Sequence, residues 1–124
     1  MQQPLGILVY GFKLEEAEQI VIAFEDRFGA EVVLVSATGK EKKTVQEILD
    51  SGPGGDFDEK EDRMLMFLGF NDQQIKQALK AFPSDVGIPR PIFCGLTEEN
   101  VKWTITQLMK HLKEEQVQAR ENKI

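Results

Sequence analysis

Four short, unbroken apolar runs constrain the fold of this chain more than any other feature of its sequence. They cover residues 7–12, 32–35, 64–70 and 92–94. Because the apolar residues in each run do not alternate with polar ones, each run predicts a β-strand that is buried on both faces. Such a sheet needs helices on both sides, so the runs predict an α/β fold.

Two amphipathic helices are predicted between the runs. Apolar residues recur at spacings of three and four from Leu14 to Phe28 and again from Ile75 to Phe82. This period places them on one face of a helix that packs on the sheet. Asn71, with Gln74 three residues later, is predicted to form a capping box at the start of the second helix.

Two further helices are predicted from capping signals. A short helix begins at Thr44, which has the capping-box spacing, and stops near Ser51. The last and longest helix is predicted to run from about Glu98 past Leu112, with Thr97 as its N-cap.

The order strand, helix, strand, helix occurs twice, and the two occurrences have similar sequences. An ungapped alignment of residues 7–29 with residues 65–87 pairs Gly11 with Gly69, Phe12 with Phe70, Gln19 with Gln77, Ala23 with Ala81, Phe24 with Phe82 and Gly29 with Gly87. These identities predict an internal duplication.

The length of 124 residues suits a single domain with one core. We therefore predict a single α/β domain. Its predicted parts are the repeat halves 5–52 and 63–113, the joint 53–62 between them, and a polar, frayed tail over 114–124.

The long segment from Thr38 to Asp62 favours a crossover to a parallel strand over a hairpin. We predict a four-stranded, mainly parallel sheet built from two βαβα repeats, with helices on both faces. The alternative is a ferredoxin-like, antiparallel α+β fold with an extra C-terminal helix. In either fold, Pro89 and Pro91 place the fourth strand at an edge of the sheet.

Composition disfavours several classes of partner. The net charge of −6 repels a nucleic-acid backbone, and no apolar run is long enough to span a membrane. A single cysteine excludes an intrachain disulfide and a cysteine-cluster metal site. We expect a cytoplasmic protein with no metal, no cofactor and neither nucleic acid nor membrane as a partner.

The ends of the strands are the first candidate binding site. In a parallel sheet all four ends share one rim, where ligands of open α/β sheets bind. Small or polar residues follow each strand, and Gly11 and Gly69 are the candidates among them. The competing interpretation is that these glycines serve only the backbone conformation of the turns.

Cys94 is the second candidate. It lies three residues before the predicted helix cap at Thr97, where unpaired amides could stabilise a thiolate. The competing interpretation is a small core residue. His111, the only histidine, lies too far along the last helix to be presumed the base of Cys94, so no catalytic pair is visible.

Trp103 is the third candidate. If the last helix is continuous, its core stripe contains Val101, Ile105, Leu108, Met109 and Leu112, and Trp103 falls on the other side. Thr97, Asn100, Trp103 and Gln107 then form a candidate binding surface, because aromatic residues in a polar face are typical of binding sites. Alternatively, Trp103 packs under a loop or in a homodimer contact.

The pattern Thr97-x-x-Asn100-x-x-Trp103-Thr104, together with Gly69-Phe70, Leu108 and Glu114-Glu115, resembles an uncharacterised bacterial family, the domain of unknown function numbered 3783. The resemblance covers about residues 64–116. It implies a bacterial, intracellular domain with no established activity, in which Thr97, Asn100 and Trp103 belong to the family pattern.

We therefore expect a non-catalytic, regulatory domain that binds a small molecule or a protein, with a homodimer as one form of the latter. The alternative is a thiol-dependent enzyme or redox protein that uses Cys94.

Overall fold

Two strand–helix–strand units make up the fold. The computed structural model describes residues 4–121, with side chains up to residue 118. The first unit is β1 (Leu5–Tyr10), α1 (Leu14–Phe28) and β2 (Val32–Ser36), followed by α2 (Val45–Asp50); the second is β3 (Met64–Leu68), α3 (Asp72–Ala81) and β4 (Ile92–Gly95), followed by α4 (Ile105–Glu121). Two short 3-10 turns, Ser84–Val86 and Asn100–Lys102, precede and follow β4.

The four strands form one mixed sheet in the order β2-β1-β3-β4. Within each unit the strands are parallel, but β1 and β3 are antiparallel, with Gly6 opposite Leu68 and Tyr10 opposite Met64. The prediction of a mainly parallel sheet is therefore wrong. The ferredoxin-like alternative is wrong as well, because two of the three pairings are parallel.

The path of the joint explains why β3 runs opposite to β1. After α2 the chain does not return across the sheet. Instead, Gly54 bonds to the outer edge of β2, and the Lys60 N–H donates to the Gly11 carbonyl, just beyond the end of β1. The chain therefore enters β3 beside the C-terminal end of β1, and β3 runs antiparallel to β1.

Helices cover both faces of the sheet, as predicted. On one face α1 and α3 pack on side chains such as Ile7 and Phe67. On the other, α2 and α4 pack on side chains such as Leu8 and Met66. Neighbouring residues of β1 and of β3 thus point into different cores, which confirms that these unbroken apolar runs are buried on both faces. β4 is an edge strand, also as predicted.

The caps of the first three helices confirm the sequence prediction. α1 ends at Gly29 in the left-handed conformation, with φ of 64°. Thr44 and Asn71 each form a capping box at the start of α2 and α3. α3 ends at Ala81, next to the last residue of its predicted apolar pattern, and Gly87 ends the 3-10 turn that follows it.

The start of the last helix differs from the prediction. The Asn100 N–H, at the start of the short turn Asn100–Lys102, donates to Thr97 Oγ1, and Trp103 then adopts an extended conformation with φ of −85° and ψ of 148°, which interrupts the helix. α4 begins only at Ile105 and includes the polar segment up to Glu121. Residues 122–124, the end of the predicted tail, lie outside the described residues.

Candidate functional site

The mixed sheet separates the strand ends that the sequence analysis placed on one rim. Because β1 and β3 are antiparallel, Gly11 and the C-terminal end of β2 lie at one end of the sheet, whereas Gly69 and the C-terminal end of β4 lie at the opposite end. The prediction of a common rim is therefore wrong. Gly11 and Gly69 do not contribute to one site.

At the end of β1, the joint packs directly against Gly11. Gly11 is buried with φ of 85°, and a Cβ at this position would collide with the backbone carbonyl of Asp62. The Gly11 N–H donates to Thr38 Oγ1 over 3.1 Å, and the Gly11 carbonyl accepts from the Lys60 N–H over 3.1 Å. Glycine serves a close backbone approach here, and the polar groups around it are used by the fold.

Tyr10 is paired at the same end of the sheet. Its hydroxyl donates to Glu41 Oε2 over 2.8 Å. Burial, followed by the hydrogen bond to Glu41 and the negative charges nearby, raises the pKa of Tyr10 to about 12. The bond from Tyr10 is the main cause that lowers the pKa of Glu41.

Gly69 lies at the opposite end of the sheet and is exposed. Its φ is 78°, and a Cβ at this position would lie 2.8 Å from the Pro4 carbonyl oxygen. This glycine, too, is explained by a tight approach of two backbone segments.

Thr97 and Asn100 build the turn that follows β4. The Thr97 N–H donates to Asn100 Oδ1 over 2.8 Å, and the Asn100 N–H donates to Thr97 Oγ1 over 2.9 Å. Asn100 Nδ2 donates to the carbonyl of Gly95, at the end of β4, over 2.9 Å. Because both ends of this buried amide are used within the protein, Asn100 positions the turn.

A second reciprocal cap follows immediately. The Thr104 N–H donates to Gln107 Oε1 over 2.9 Å, and the Gln107 N–H donates to Thr104 Oγ1 over 3.2 Å. This pair starts α4. The Trp103 carbonyl, between the two caps, accepts from the Val45 N–H over 2.9 Å and thereby ties the turn to α2.

Trp103 is half-buried, and one face of its indole is covered by His111. The two rings are stacked, with centroids 4.2 Å apart and planes 14° from parallel. The indole packs against the same core as α4. Trp103 is thus held in a fixed orientation at the boundary between core and solvent.

A cavity of about 370 Å³ lies beside this aromatic pair. We call it the β4-end cavity. Its walls come from the end of β4, the Thr97–Asn100 turn and one face of α4, and its lining residues are Phe93, Cys94, Gly95, Thr97, Glu99, Asn100, Trp103, Leu108, His111, Leu112 and Glu115. Two carboxylates line it, and none of the described lining residues is a lysine or an arginine.

Cys94 is protonated in this environment. Burial, with a further contribution from the charge of Glu115, raises the pKa of the Cys94 thiol to about 12. Among the described residues, no group of three or more carboxylate, thiol and imidazole side chains is arranged to hold a metal ion. The β4-end cavity therefore presents a neutral thiol, an imidazole and two carboxylates.

The cavity unites some of the predicted site residues and omits others. It contains Cys94, Thr97, Asn100 and Trp103, whereas Gln107 lies outside its lining. The sequence analysis did not assign Glu99, His111 or Glu115 to a site. For His111 and Glu115 the sequence signal is the Thr104–Gln107 spacing, which fixes the start of α4 and puts these two residues on one helix face with Leu108 and Leu112. Glu99 has no comparable signal.

Comparisons with known proteins support one family resemblance. Residues 63–118 match the model of a family described as "Domain of unknown function (DUF3783)". This segment runs from the start of β3 into α4 and includes the whole lining of the β4-end cavity. No curated protein and no solved structure matches the chain.

The match confirms the resemblance of the second half of the chain to this uncharacterised domain family. The family description assigns no activity, so a functional conclusion has to come from the site itself. None of the helices that the structure describes has the length and apolar character needed to cross a membrane.

Proposed function

We propose that this chain is a non-catalytic binding domain and that its β4-end cavity holds a small organic cation. The observation that carries the proposal is the lining of the cavity, which combines a stacked Trp103–His111 pair with Glu99 and Glu115.

Each part of this lining favours a positively charged ligand with an apolar body. The face of the Trp103 indole that His111 does not cover can attract a cation through its ring quadrupole, and this attraction is largest for tryptophan. Glu99 and Glu115 add a negative potential, which the net charge of −6 reinforces. The apolar side chains of Phe93 and Leu108 provide contacts for alkyl groups, and the volume lies in the range of small-molecule sites.

The residues have different roles in this proposal. Trp103 contributes contact area, and Glu99 and Glu115 contribute charge. Thr97 and Asn100 act indirectly, because their side chains hold the turn that carries Glu99 and Trp103.

We also propose that the domain acts in the cytoplasm and that its two halves arose by duplication. A single free cysteine is in keeping with a reducing compartment. The duplication is supported by the aligned pairs Gly11–Gly69 and Gly29–Gly87, in which all four residues have positive φ.

The proposal is tested by a titration with choline that is monitored through the fluorescence of Trp103, the only tryptophan in the chain. Choline carries a quaternary ammonium group, and its uncharged isostere, in which carbon replaces the ammonium nitrogen, has the same shape. We expect a saturable change with choline and at least about tenfold weaker binding of the isostere. Equal binding of the two compounds, or no saturable change with choline, would contradict the proposal.

A pair of neighbouring carboxylates supplies the matched control. Glu115 lines the cavity, whereas Glu114 does not, and both side chains are exposed on α4. We expect Glu115→Gln to weaken choline binding by roughly threefold to tenfold and Glu114→Gln to leave it nearly unchanged. The same loss in both variants would show only a general effect of net charge.

Thiol chemistry at Cys94 is the second candidate, because the structure places Cys94 and His111 in one cavity. Its raised pKa argues against a reactive thiolate. The rise from the ordinary value of 9.0 to about 12 lowers the thiolate fraction at about pH 8 roughly a thousandfold. We expect iodoacetamide to label native Cys94 at least about tenfold slower than unfolded Cys94, whereas rapid native labelling would favour a thiol-dependent enzyme.

A further inference from the structure

Within residues 4–121, no strand pairs with the outer edge of β4. Ile92 donates its N–H inward to the Arg63 carbonyl of the neighbouring segment, so alternate residues of the strand direct their backbone groups away from the sheet. The outward groups belong to Pro91, Phe93 and Gly95. The Gly95 carbonyl is bonded by Asn100, which leaves the N–H and carbonyl of Phe93, the N–H of Gly95 and the carbonyl of Pro91, itself a buried residue, on the outward side of the strand.

The other edge of the sheet, at β2, is largely closed. The Val32 N–H donates to Glu25 Oε2 over 3.0 Å. The Leu34 carbonyl accepts from the Gly54 N–H, and the Ser36 N–H donates to the Gly54 carbonyl, each over 2.9 Å. The joint and one carboxylate thus block strand addition at β2.

We propose that β4 pairs with β4 of a second copy of this chain in an antiparallel arrangement, with the two-fold axis at Phe93. The two Phe93 residues would exchange N–H···O=C bonds, and each Gly95 N–H would donate to the Pro91 carbonyl of the other copy. Two four-stranded sheets then join into one continuous sheet.

The edge is complementary to itself in this register. Pro91 has no N–H to donate, and its opposite residue, Gly95, has a carbonyl that is already bonded by Asn100. Pro91, which has no N–H, therefore lies opposite a Gly95 carbonyl that needs no further donor. The pairing leaves no outward-facing donor or acceptor between Pro91 and Gly95 unsatisfied.

Charge and shape favour the antiparallel orientation. In this register Arg90 lies opposite Leu96 of the other copy, and its guanidinium remains over the Phe93 ring, 5.1 Å from the centroid, whereas parallel pairing brings Arg90 beside Arg90. The edge is also the floor of a groove of about 620 Å³, with Leu79 of α3 and Leu112 of α4 in its lining. Phe93 lies in the same groove and would form a cross-strand aromatic pair.

The difference between the two edges sets the size of the assembly. A copy with two open edges would extend into a fibre, whereas a copy with one open edge stops at a closed dimer. Because β2 is blocked, the structure assigns a two-fold dimer.

The test is the solution mass of the full chain, measured by light scattering without any ligand. It is therefore independent of the proposed cation site. We expect the mass to approach twice 14.1 kDa in a concentration series that reaches roughly 500 µM. A mass of 14.1 kDa throughout the series would overturn the proposal, as would a mass that continues to rise beyond the dimer.

Two variants of Gly95 identify the edge. A Cβ at Gly95 has no atom within 4 Å, and its φ is not positive, so the fold accommodates alanine. Far-UV circular dichroism checks that the proline variant is folded before its association is measured. Gly95→Ala keeps the outward N–H and is expected to remain dimeric. Gly95→Pro removes it and is expected to raise the dimer dissociation constant at least about tenfold. Equal dissociation constants for the two variants would contradict the β4 interface.

Hydrogen exchange of the unmodified chain gives a second test that does not depend on the folding of a variant. The Phe93 amide should exchange slowly at high protein concentration and at least about tenfold faster on dilution. The Cys94 amide, which is directed inward, should be protected at both concentrations. Exchange of Phe93 that does not depend on concentration would overturn the proposal.

Discussion

The ends of β2 and β4 show how two similar strand–helix–strand units acquire different surfaces. After β2, the joint passes over the end of β1, so Thr38 and Lys60 are both bonded to Gly11. After β4, two reciprocal caps lead the chain around an open cavity. The difference teaches that the segment that follows the second strand of each unit shapes the surface at that end of the sheet: the joint packs on Gly11, whereas the two caps wall the β4-end cavity.

The largest expected effect is at the end of β1, where the joint packs against Gly11. Gly11→Ala combines a disfavoured φ with a collision against a backbone carbonyl, so we expect it to lower the free energy of unfolding by about 3 kcal/mol or more. Gly69→Ala should cost about 2 kcal/mol. Gly29→Ala, where a Cβ has no atom within 4 Å, should cost about 1 kcal/mol. Urea unfolding measures all three, and equal losses at Gly11 and Gly29 would show that the joint does not press on β1.

The next largest effect is expected beside the β4-end cavity. Asn100→Ala removes two hydrogen bonds and leaves the Thr97 N–H and the Gly95 carbonyl without their partner, so we expect a loss of about 2–3 kcal/mol in the free energy of unfolding. We also expect a shift of Trp103 emission, because Asn100 holds the turn that carries the indole.

Gln107→Ala is the control for Asn100→Ala. Gln107 belongs to the neighbouring cap but is exposed and lies outside the cavity, so its loss should cost about 1 kcal/mol or less. If Asn100→Ala has no larger effect than Gln107→Ala, the first cap does not support the cavity.

A smaller effect on the free energy of unfolding is expected from the titration of Tyr10, at the end of β1. The pKa of Tyr10 is about 12 in the folded protein and 10.0 ordinarily, so the unfolded chain loses this proton first. The contribution of Tyr10 to stability is therefore complete below pH 10 and is lost as the pH rises towards 12.

Cys94 has a raised pKa as well and destabilises the fold over the same alkaline range, so the measurement is a difference between two chains. Unfolding of Tyr10→Phe should depend less steeply on alkaline pH than unfolding of the unmodified chain. Identical pH dependence in both chains would mean that Tyr10 is not buried against Glu41.

The strands and the first three helices could be predicted because their signals are local. Apolar runs define the strands, and capping residues such as Thr44 and Asn71 define helix starts. The direction of β3 could not be predicted in this way. It depends on where the joint leads the chain, and the bonds that fix this path, from Gly54 to β2 and from Lys60 to Gly11, join residues far apart in sequence.

The candidate site was predicted in part. Thr97, Asn100 and Trp103 were found because a cap motif and a tryptophan in polar surroundings are visible in the sequence. The assumption of one continuous helix hid the rest, since it put Trp103 on the face opposite the core and Gln107 beside it. The extended conformation of Trp103 changes the helical phase and brings His111 against the indole.

The most direct test of this account is a nuclear magnetic resonance titration with choline, since it reports at once on the β4-end cavity and on the opposite end of the sheet, where the joint packs on Gly11. We predict saturable shifts of the Trp103 indole N–H and of the His111 and Glu115 amides, with no change at Thr38 or Lys60. Shifts confined to Thr38 and Lys60, or an indole signal that does not move, would contradict the assignment of the β4-end cavity as the binding site.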